Sequence, residues 1–405
     1  MRLTQLFAAA SVALATPCDA QAPKDLAHYV LGVTVSPEHE TVAVDAHIFP
    51  GPVELGEEQE FYIGSSYTIR AAEAGPNATV MIKPDGRSQL ITVKYNKTEK
   101  SPRVRVLYGG RLNPTGDLPI NLVSKDLVEL NLDSAWLPIR TDYNLRFTVD
   151  ARIAGIPPDF DVVAQGVVSR EGDLVRIRRS TPEIDVAFAA ARMKRASGEG
   201  YQLYAPDLET ERVQLLNRHA SAAIPYLQRW LGKMPGDGVR VVVVRRPRTS
   251  GYARKGYIVF TENSRGNEAG VAKFAAHEFA HLWFSNANSQ TSDRWLDEST
   301  AEYVSLRYVQ DAMGAEALER LIAPKREVAR TAKPVVGDTR TDAELYDKGP
   351  LLLFELEQAI GREKMDRLLA IVAARKIGVT ADFLTALSEL TDPATAAEFE
   401  RKLKS

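Results

Sequence analysis

Two histidines four residues apart, His277 and His281, with Glu278 directly after the first, are the groups in this chain best spaced for chemistry. They lie in Ala276-His277-Glu278-Phe279-Ala280-His281-Leu282, a stretch with a helical pattern. On a helix, a four-residue step overshoots a full turn by only about 40°, so both imidazoles face one way. Two neutral imidazole nitrogens so placed can take adjacent corners of a tetrahedral metal site. Glu278 is offset from that face. It can reach a water on the metal rather than the metal, first as general base and later as proton donor to a leaving amine. The bland alternative is a surface helix that happens to carry two histidines and an acid. Phe279, Leu282, Trp283 and Phe284 crowd the segment, however, so its ionisable groups are expected to be buried and to need a partner.

A third ligand must come from elsewhere, and the only cysteine, Cys18, lies near the start of the chain. The donors are therefore histidine and carboxylate. Trp295-Leu296-Asp297-Glu298-Ser299-Thr300-Ala301-Glu302-Tyr303 offers Glu298 at the start of the next helical stretch, with Glu302 one turn later on the same face. Glu298 suits a metal ligand, and Glu302 suits a carboxylate that orients a ligand imidazole. Their plain alternatives are an acid favoured by a helix N-terminus and a solvated helix acid.

The elements that must position these groups fall into two kinds. From about Tyr29 to Ile184 the chain alternates apolar and polar residues, as in Val30-Leu31-Gly32-Val33-Thr34-Val35 and Arg103-Val104-Arg105-Val106-Leu107-Tyr108. Turn residues punctuate the alternation, which reads as an antiparallel β domain with one face on a core. Residues 189–206 read as a hinge. Beyond Pro206 the period becomes helical: a run capped by Asp207 and ending near Leu231, then stretches at about 269–286, 295–313, 350–360 and 362–374. Val239–Val244 and Gly256–Phe260 read as buried strands. The expected fold class is α+β and multidomain, with an N-terminal β domain over 21–190 and a mostly helical α+β domain over 200–405.

Composition limits the partners. The 405 residues are 44% apolar and 26% charged, with a formal net charge of −2. That is a globular balance with no reason to expect nucleic acid as a partner. Arg2, the apolar stretch Leu3–Ala15 and the small residues Cys18, Ala20 and Ala22 read as an export signal over 1–20. Thirteen or so apolar residues are too few to span a bilayer, which takes roughly 20. The expectation is a secreted or periplasmic protein without a transmembrane segment. A lipid anchor on Cys18 is the less favoured reading, because Pro17 precedes it.

The site residues, His277-Glu278-Phe279-Ala280-His281-Leu282-Trp283-Phe284-Ser285-Asn286 followed by Trp295-Leu296-Asp297-Glu298, resemble the alanyl-aminopeptidase family of gluzincin zinc peptidases. The resemblance implies a saddle-like β domain before a thermolysin-like catalytic domain, and one Zn2+ per chain held by His277, His281 and Glu298. Asp297 stands where the family usually has Asn, and the spacer from His281 to Glu298 is shorter than usual. Tyr346-Asp347-Lys348-Gly349 is similar to the family's Y-E-K-G, which implies that the Tyr346 hydroxyl stabilises an oxyanion. The family's G-A-M-E-N segment, whose glutamate grips the substrate amine, falls at Gly251-Tyr252-Ala253-Arg254-Lys255. Ala253 replaces the glutamate, and two cations follow that should repel an ammonium group. Glu129 falls where a second amine-binding residue usually sits. The short stretch after Tyr346 leaves no room for the family's large helical C-terminal domain, so an open groove is expected.

These observations together lead to a zinc-dependent peptide hydrolase acting on peptide or protein substrates, aminopeptidase-like but with altered recognition of the N-terminal amine. The alternatives are an inactive peptidase fold kept for binding and a zinc hydrolase of a non-peptide bond.

Overall fold

The structure is a computed structural model and describes residues 26–112, 121–236, 238–247, 250–262, 266–337 and 341–405. The export-signal reading and Cys18 lie outside the described residues.

The alternating segments of the first half build three sheets. The largest has seven strands in the order Val167–Glu171, Leu174–Glu183, Phe147–Ala154, Ala27–Ser36, Thr41–Phe49, Val104–Arg111, Tyr67–Ala74. From Tyr29 onward every other side chain of Ala27–Ser36 is buried, as a strand with a period of two requires. The sheet is not purely antiparallel, because Ala27–Ser36 runs parallel to Phe147–Ala154 while pairing antiparallel with Thr41–Phe49. A four-stranded sheet around Glu58–Gly64 and a second around Phe188–Ala191 complete this half. The inward faces share one core that includes Tyr29, Trp136, Phe147 and Phe188.

Residues 189–206 are not a hinge. They hold the strands Phe188–Ala191, Lys194–Gly198 and Tyr201–Ala205, and sheet membership changes between the first and the second of these. Lys194–Gly198 and Tyr201–Ala205 open a five-stranded sheet that continues with Val239–Val244, Tyr257–Thr261 and, at its edge, Tyr252–Arg254. Val239–Val244 pairs parallel with both neighbours, and only valines and one arginine fill it, as expected of a strand covered on both faces. One of those faces is covered by the first half: Leu127, Val163, Ala187 and Ala189 pack against Val242, Tyr257 and Val259.

Among the described residues, eight helices follow the switch: α1 (Glu211–Leu231), α2 (Glu268–Ala280), α3 (Trp295–Met313), α4 (Ala315–Ala329), α5 (Gly349–Ile360), α6 (Arg362–Arg375), α7 (Thr380–Leu390) and α8 (Pro393–Leu403). The cap of α1 differs from the expectation: Thr210, not Asp207, precedes it, and no side chain caps it. Asn267 does cap α2, accepting from the Gly270 N–H. Ala269, Ala272, Ala275 and Ala276 are buried along α2, and such small residues let α1 and α3 approach it closely. The helical pattern continues to Asn286, but α2 stops at Ala280. The Asp297 carboxylate accepts the N–H groups of Asn286 and Ala287 at 3.0 and 3.1 Å and so holds the following turn in place.

Trp295 anchors the start of α3. Its indole is fully buried, donates to Thr380 Oγ1 at 2.9 Å and meets Phe383 edge-on. Removing a ring so placed typically costs about 3–5 kcal/mol. A π-helical turn, Ala343–Lys348, leads into α5 and packs on α3, where Ser299 Oγ donates to Leu345 O at 2.7 Å. Gly349 makes this approach feasible, since a Cβ there would lie 2.1 Å from Ser299 Oγ and 2.7 Å from Ser299 Cβ. Among the described residues, no helix is long and apolar enough to cross a membrane.

Gly349→Ala should therefore push the 343–348 turn away from α3. Overpacking of this kind costs roughly 1–3 kcal/mol. Urea denaturation should read a loss in that range, and an unchanged midpoint would show that the turn does not need this close contact.

Candidate metal and catalytic site

α2 and α3 lie side by side, and their facing surfaces carry the ionisable residues. His277 in the last turn of α2 and His281 at its C-cap have ring centroids 4.9 Å apart. Their Nε2 atoms lie 3.2 Å from each other and 3.6 and 3.5 Å from Glu298 Oε2 on α3. These three atoms form the one His, Cys, Asp and Glu cluster among the described residues that has ligand geometry. Ligands about 2.0–2.1 Å from a tetrahedral centre sit roughly 3.3 Å from one another, so the triangle fits a zinc-sized cation.

The opposite ring nitrogens are already engaged. His281 Nδ1 lies 3.0 Å from Phe284 O, which can only accept, so Nδ1 carries the proton and Nε2 presents its lone pair to the cluster. His277 Nδ1 lies 3.0 Å from Glu302 Oε2, which sets the same tautomer. The spacing placed Glu302 on this face of the helix, where the contact is found. Two lysines on Glu302 were not anticipated: Lys273 Nζ at 2.8 Å and Lys325 Nζ at 2.8 Å. Lys273 precedes His277 by one helical turn and was findable on that ground, whereas Lys325 comes from α4 and has no local signature. Lys325 Nζ also donates to Tyr346 O at 2.8 Å and so joins the imidazole support to the turn that bears Tyr346.

Charge balance explains the protonation states. Burial alone would raise Glu302, but Lys273, His277 and Lys325 hold it well below the usual carboxylate range. Burial likewise opposes ionised Glu298, and its neighbours His277 and His281 bring it well below normal. Glu278 is buried and has its proton affinity raised, chiefly by desolvation. Gly251 lies against it: a Cβ at Gly251 would be 3.0 Å from Glu278 Oε1 and 2.5 Å from Phe274.

Tyr346 joins the cluster from the π-helical turn. Its hydroxyl donates to Glu298 Oε2 at 2.9 Å, and its ring centroid is 5.8 Å from that of His277. Burial and Glu298 push its pKa up, so it stays a neutral donor. All five groups open onto a cleft of about 340 Å3, whose other walls include the edge strand Tyr252–Arg254, Asp133, Lys255 and Arg294.

Glu129 does not reach this cleft. Its carboxylate is fully buried and ion-paired with Arg246, an arrangement that sequence position could not reveal. The carboxylate that the first half brings to the cleft is that of Asp133, four residues later. The expected pair of repelling cations is also half spent, since Arg254 is bound to the buried Asp185 at 2.8 Å.

This fold and site define a two-part protein with a peptidase domain and a His-His-Glu cluster of ligand geometry. Residues 253–401 match the peptidase family M1 domain. Among solved structures, the M1 zinc metallopeptidase from Deinococcus radiodurans is similar at 17% identity with a TM-score of 0.72 over 94% of both chains. Leukotriene A4 hydrolase from Saccharomyces cerevisiae is similar at 15% identity with a TM-score of 0.68; the match covers 93% of this chain and 66% of that one. No curated protein matches the chain.

Glu302→Gln would keep the shape of the support and remove its charge. It should weaken binding of the metal by about 10- to 100-fold. Competition with a chelating dye measures this, and an unchanged affinity would mean that Glu302 is irrelevant to the imidazole.

Proposed function

We propose that this protein is a zinc-dependent peptide hydrolase in which His277, His281 and Glu298 hold one zinc ion per chain. The triangle of two imidazole nitrogens and one carboxylate oxygen carries the reading. When bound, zinc would polarise the scissile carbonyl and acidify a water.

The chain's own residues do the rest. Glu278, with its raised proton affinity, takes the proton from the attacking water and returns it to the leaving amine. Tyr346 stays protonated and offers its hydroxyl to the developing oxyanion. Arg294, 3.3 Å from Glu298 Oε1, holds the carboxylate by its second oxygen. Gly251 keeps the edge strand close to Glu278, and the backbone of Tyr252–Arg254 gives an extended substrate a strand to pair with.

That edge strand favours a peptide over other substrates with a carbonyl. A Deinococcus radiodurans relative with this fold has been solved with a Tyr-Ser-Ala substrate, which supports the same choice here. The fold alone does not select the bond, because it is shared with leukotriene A4 hydrolase. The apolar stretch Leu3–Ala15 supports export to the periplasm or beyond.

Recognition of the substrate amine is where this chain departs. Ala253 offers no charge, and Glu129 is committed to Arg246. Asp133 is the carboxylate that the first half contributes to the cleft wall, and it lies in the field of Arg254. The enzyme should therefore tolerate substrates without a free N-terminus.

Glu278→Gln should lower kcat by about 10²–10⁴-fold while the metal content stays at one per chain. Wild-type turnover of a peptide mixture by this variant would reject the mechanism. N-acetylation of a cleaved peptide should reduce kcat/KM by no more than about tenfold. An intact amine anchor is worth roughly 2–5 kcal/mol when broken, so a loss of several hundredfold would show that the anchor survives.

A further inference from the structure

A second, larger cavity adjoins the catalytic cleft. It has a volume of about 850 Å3 and lies where the strand Leu174–Glu183 faces the turns at the start of the parallel strands of the catalytic sheet. Its size falls in the range of about 300–1,000 Å3 typical of ligand pockets, and such pockets favour the seam between two structural units. Gly198, Gly200, Gly236, Gly238 and Gly256 line it, so few side chains fill the space. Lys255 lines both this cavity and the catalytic cleft, so the two are neighbours at that residue.

The walls are positive. Among the described residues that line it, Arg178, Arg179, Arg240 and Lys255 stand with one carboxylate, Glu183, which is paired with Arg146 at 3.0 Å. Arg179 is buried, at 8% exposure, and its guanidinium is held by oxygens that orient it without cancelling its charge. They are Thr181 O at 2.9 Å, Gln165 Oε1 at 3.1 Å, Asp185 O at 2.6 Å and Phe147 O at 3.0 Å. The nearby acids have arginines of their own, Asp185 with Arg254 and Asp150 with Arg176. Arg240 donates to the carbonyl of Ala164, again a neutral partner. A low-dielectric recess lined by one sign of charge concentrates the opposite sign.

Resting on the peptidase reading above, we propose that this cavity receives an acidic stretch of the peptide substrate, so that the protein prefers peptides with a run of Asp or Glu a few residues from the scissile bond. The shared border at Lys255 is what ties the occupant of the recess to a substrate bound in the cleft. Three or four extended residues reach about 10–14 Å. Arg178, exposed at the rim, meets the acidic side chains, and Arg179 supplies fixed charge behind it.

The test uses one cleavable core peptide, alone and extended at either end by three Glu, three Ser or three Lys residues. The full-length, metal-loaded protein should show a KM for the Glu extension about tenfold below that for the Ser extension at one end, and a higher KM for the Lys extension there. The Glu-to-Ser ratio of KM should shrink toward unity in Arg178→Ala and at high salt, and invert in Arg178→Glu. Each variant is compared with itself, so a general loss of activity does not mimic the effect. Equal KM values for all extensions at both ends, with the core still cleaved, would overturn the inference. So would an undiminished Glu preference in Arg178→Glu. Failure to cleave the core or any extended peptide would instead sink the peptidase reading itself.

Discussion

A carboxylate withdrawn from water is tolerated only where positive charge or hydrogen-bond donors surround it, and α3 withdraws two of them on one face, Glu298 and Glu302. That constraint organises the catalytic half. Glu302 is almost wholly buried and is met by Lys273 and His277 from α2 and by Lys325 from α4, so three helices are tied at one point. Glu298, one turn earlier, faces the Nε2 atoms of both histidines and the Tyr346 hydroxyl through one oxygen, and Arg294 through the other. Removing Glu302 would strip Lys273 of its partner and Lys325 of its closer one. The same balance that keeps α2 and α3 together thus orients both imidazoles with their Nε2 atoms toward one point.

Local signals explain how much of this was legible in advance. His277, Glu278 and His281 share one helix, and Glu298 and Glu302 share another, so helical period alone placed each set on a face. Tyr346 was recognisable from the residues around it, and Gly349 now has a physical reason: only a residue without a Cβ lets the π-helical turn touch Ser299. The residues that sequence reasoning misplaced or missed depend on tertiary partners. Glu129 matched a position, but its environment is set by Arg246, 117 residues away. Lys325 and Asp133 come from separate elements and sit in no motif. Residues 189–206 read as a hinge because short strands rich in alanine and glycine have little alternation to detect, yet they pair on both sides of the sheet switch. The parallel pairing of Ala27–Ser36 with Phe147–Ala154 was equally invisible, since the period is two in either orientation.

The two halves divide the work unevenly. Every group proposed to touch the reacting atoms comes from the second half, on α2, α3 or the turn before α5. What surrounds the substrate comes in good part from the first half. Asp133 supplies a carboxylate at the cleft, and Asp185 draws Arg254 out of play as a free cation. The strand Leu174–Glu183 contributes Arg178 and Arg179 to the adjoining recess. The packing of Leu127 and Ala189 against Val242 and Tyr257 fixes these walls relative to the metal-binding helices. Substitutions in the β half can therefore alter which peptides fit without disturbing the tie between α2 and α3. The net charge of −2 conceals this arrangement, because acids concentrate at the metal cluster while arginines concentrate next door. Selectivity in this chain is then a matter of where the β domain leaves positive charge uncancelled, and chemistry a matter of where α3 buries negative charge.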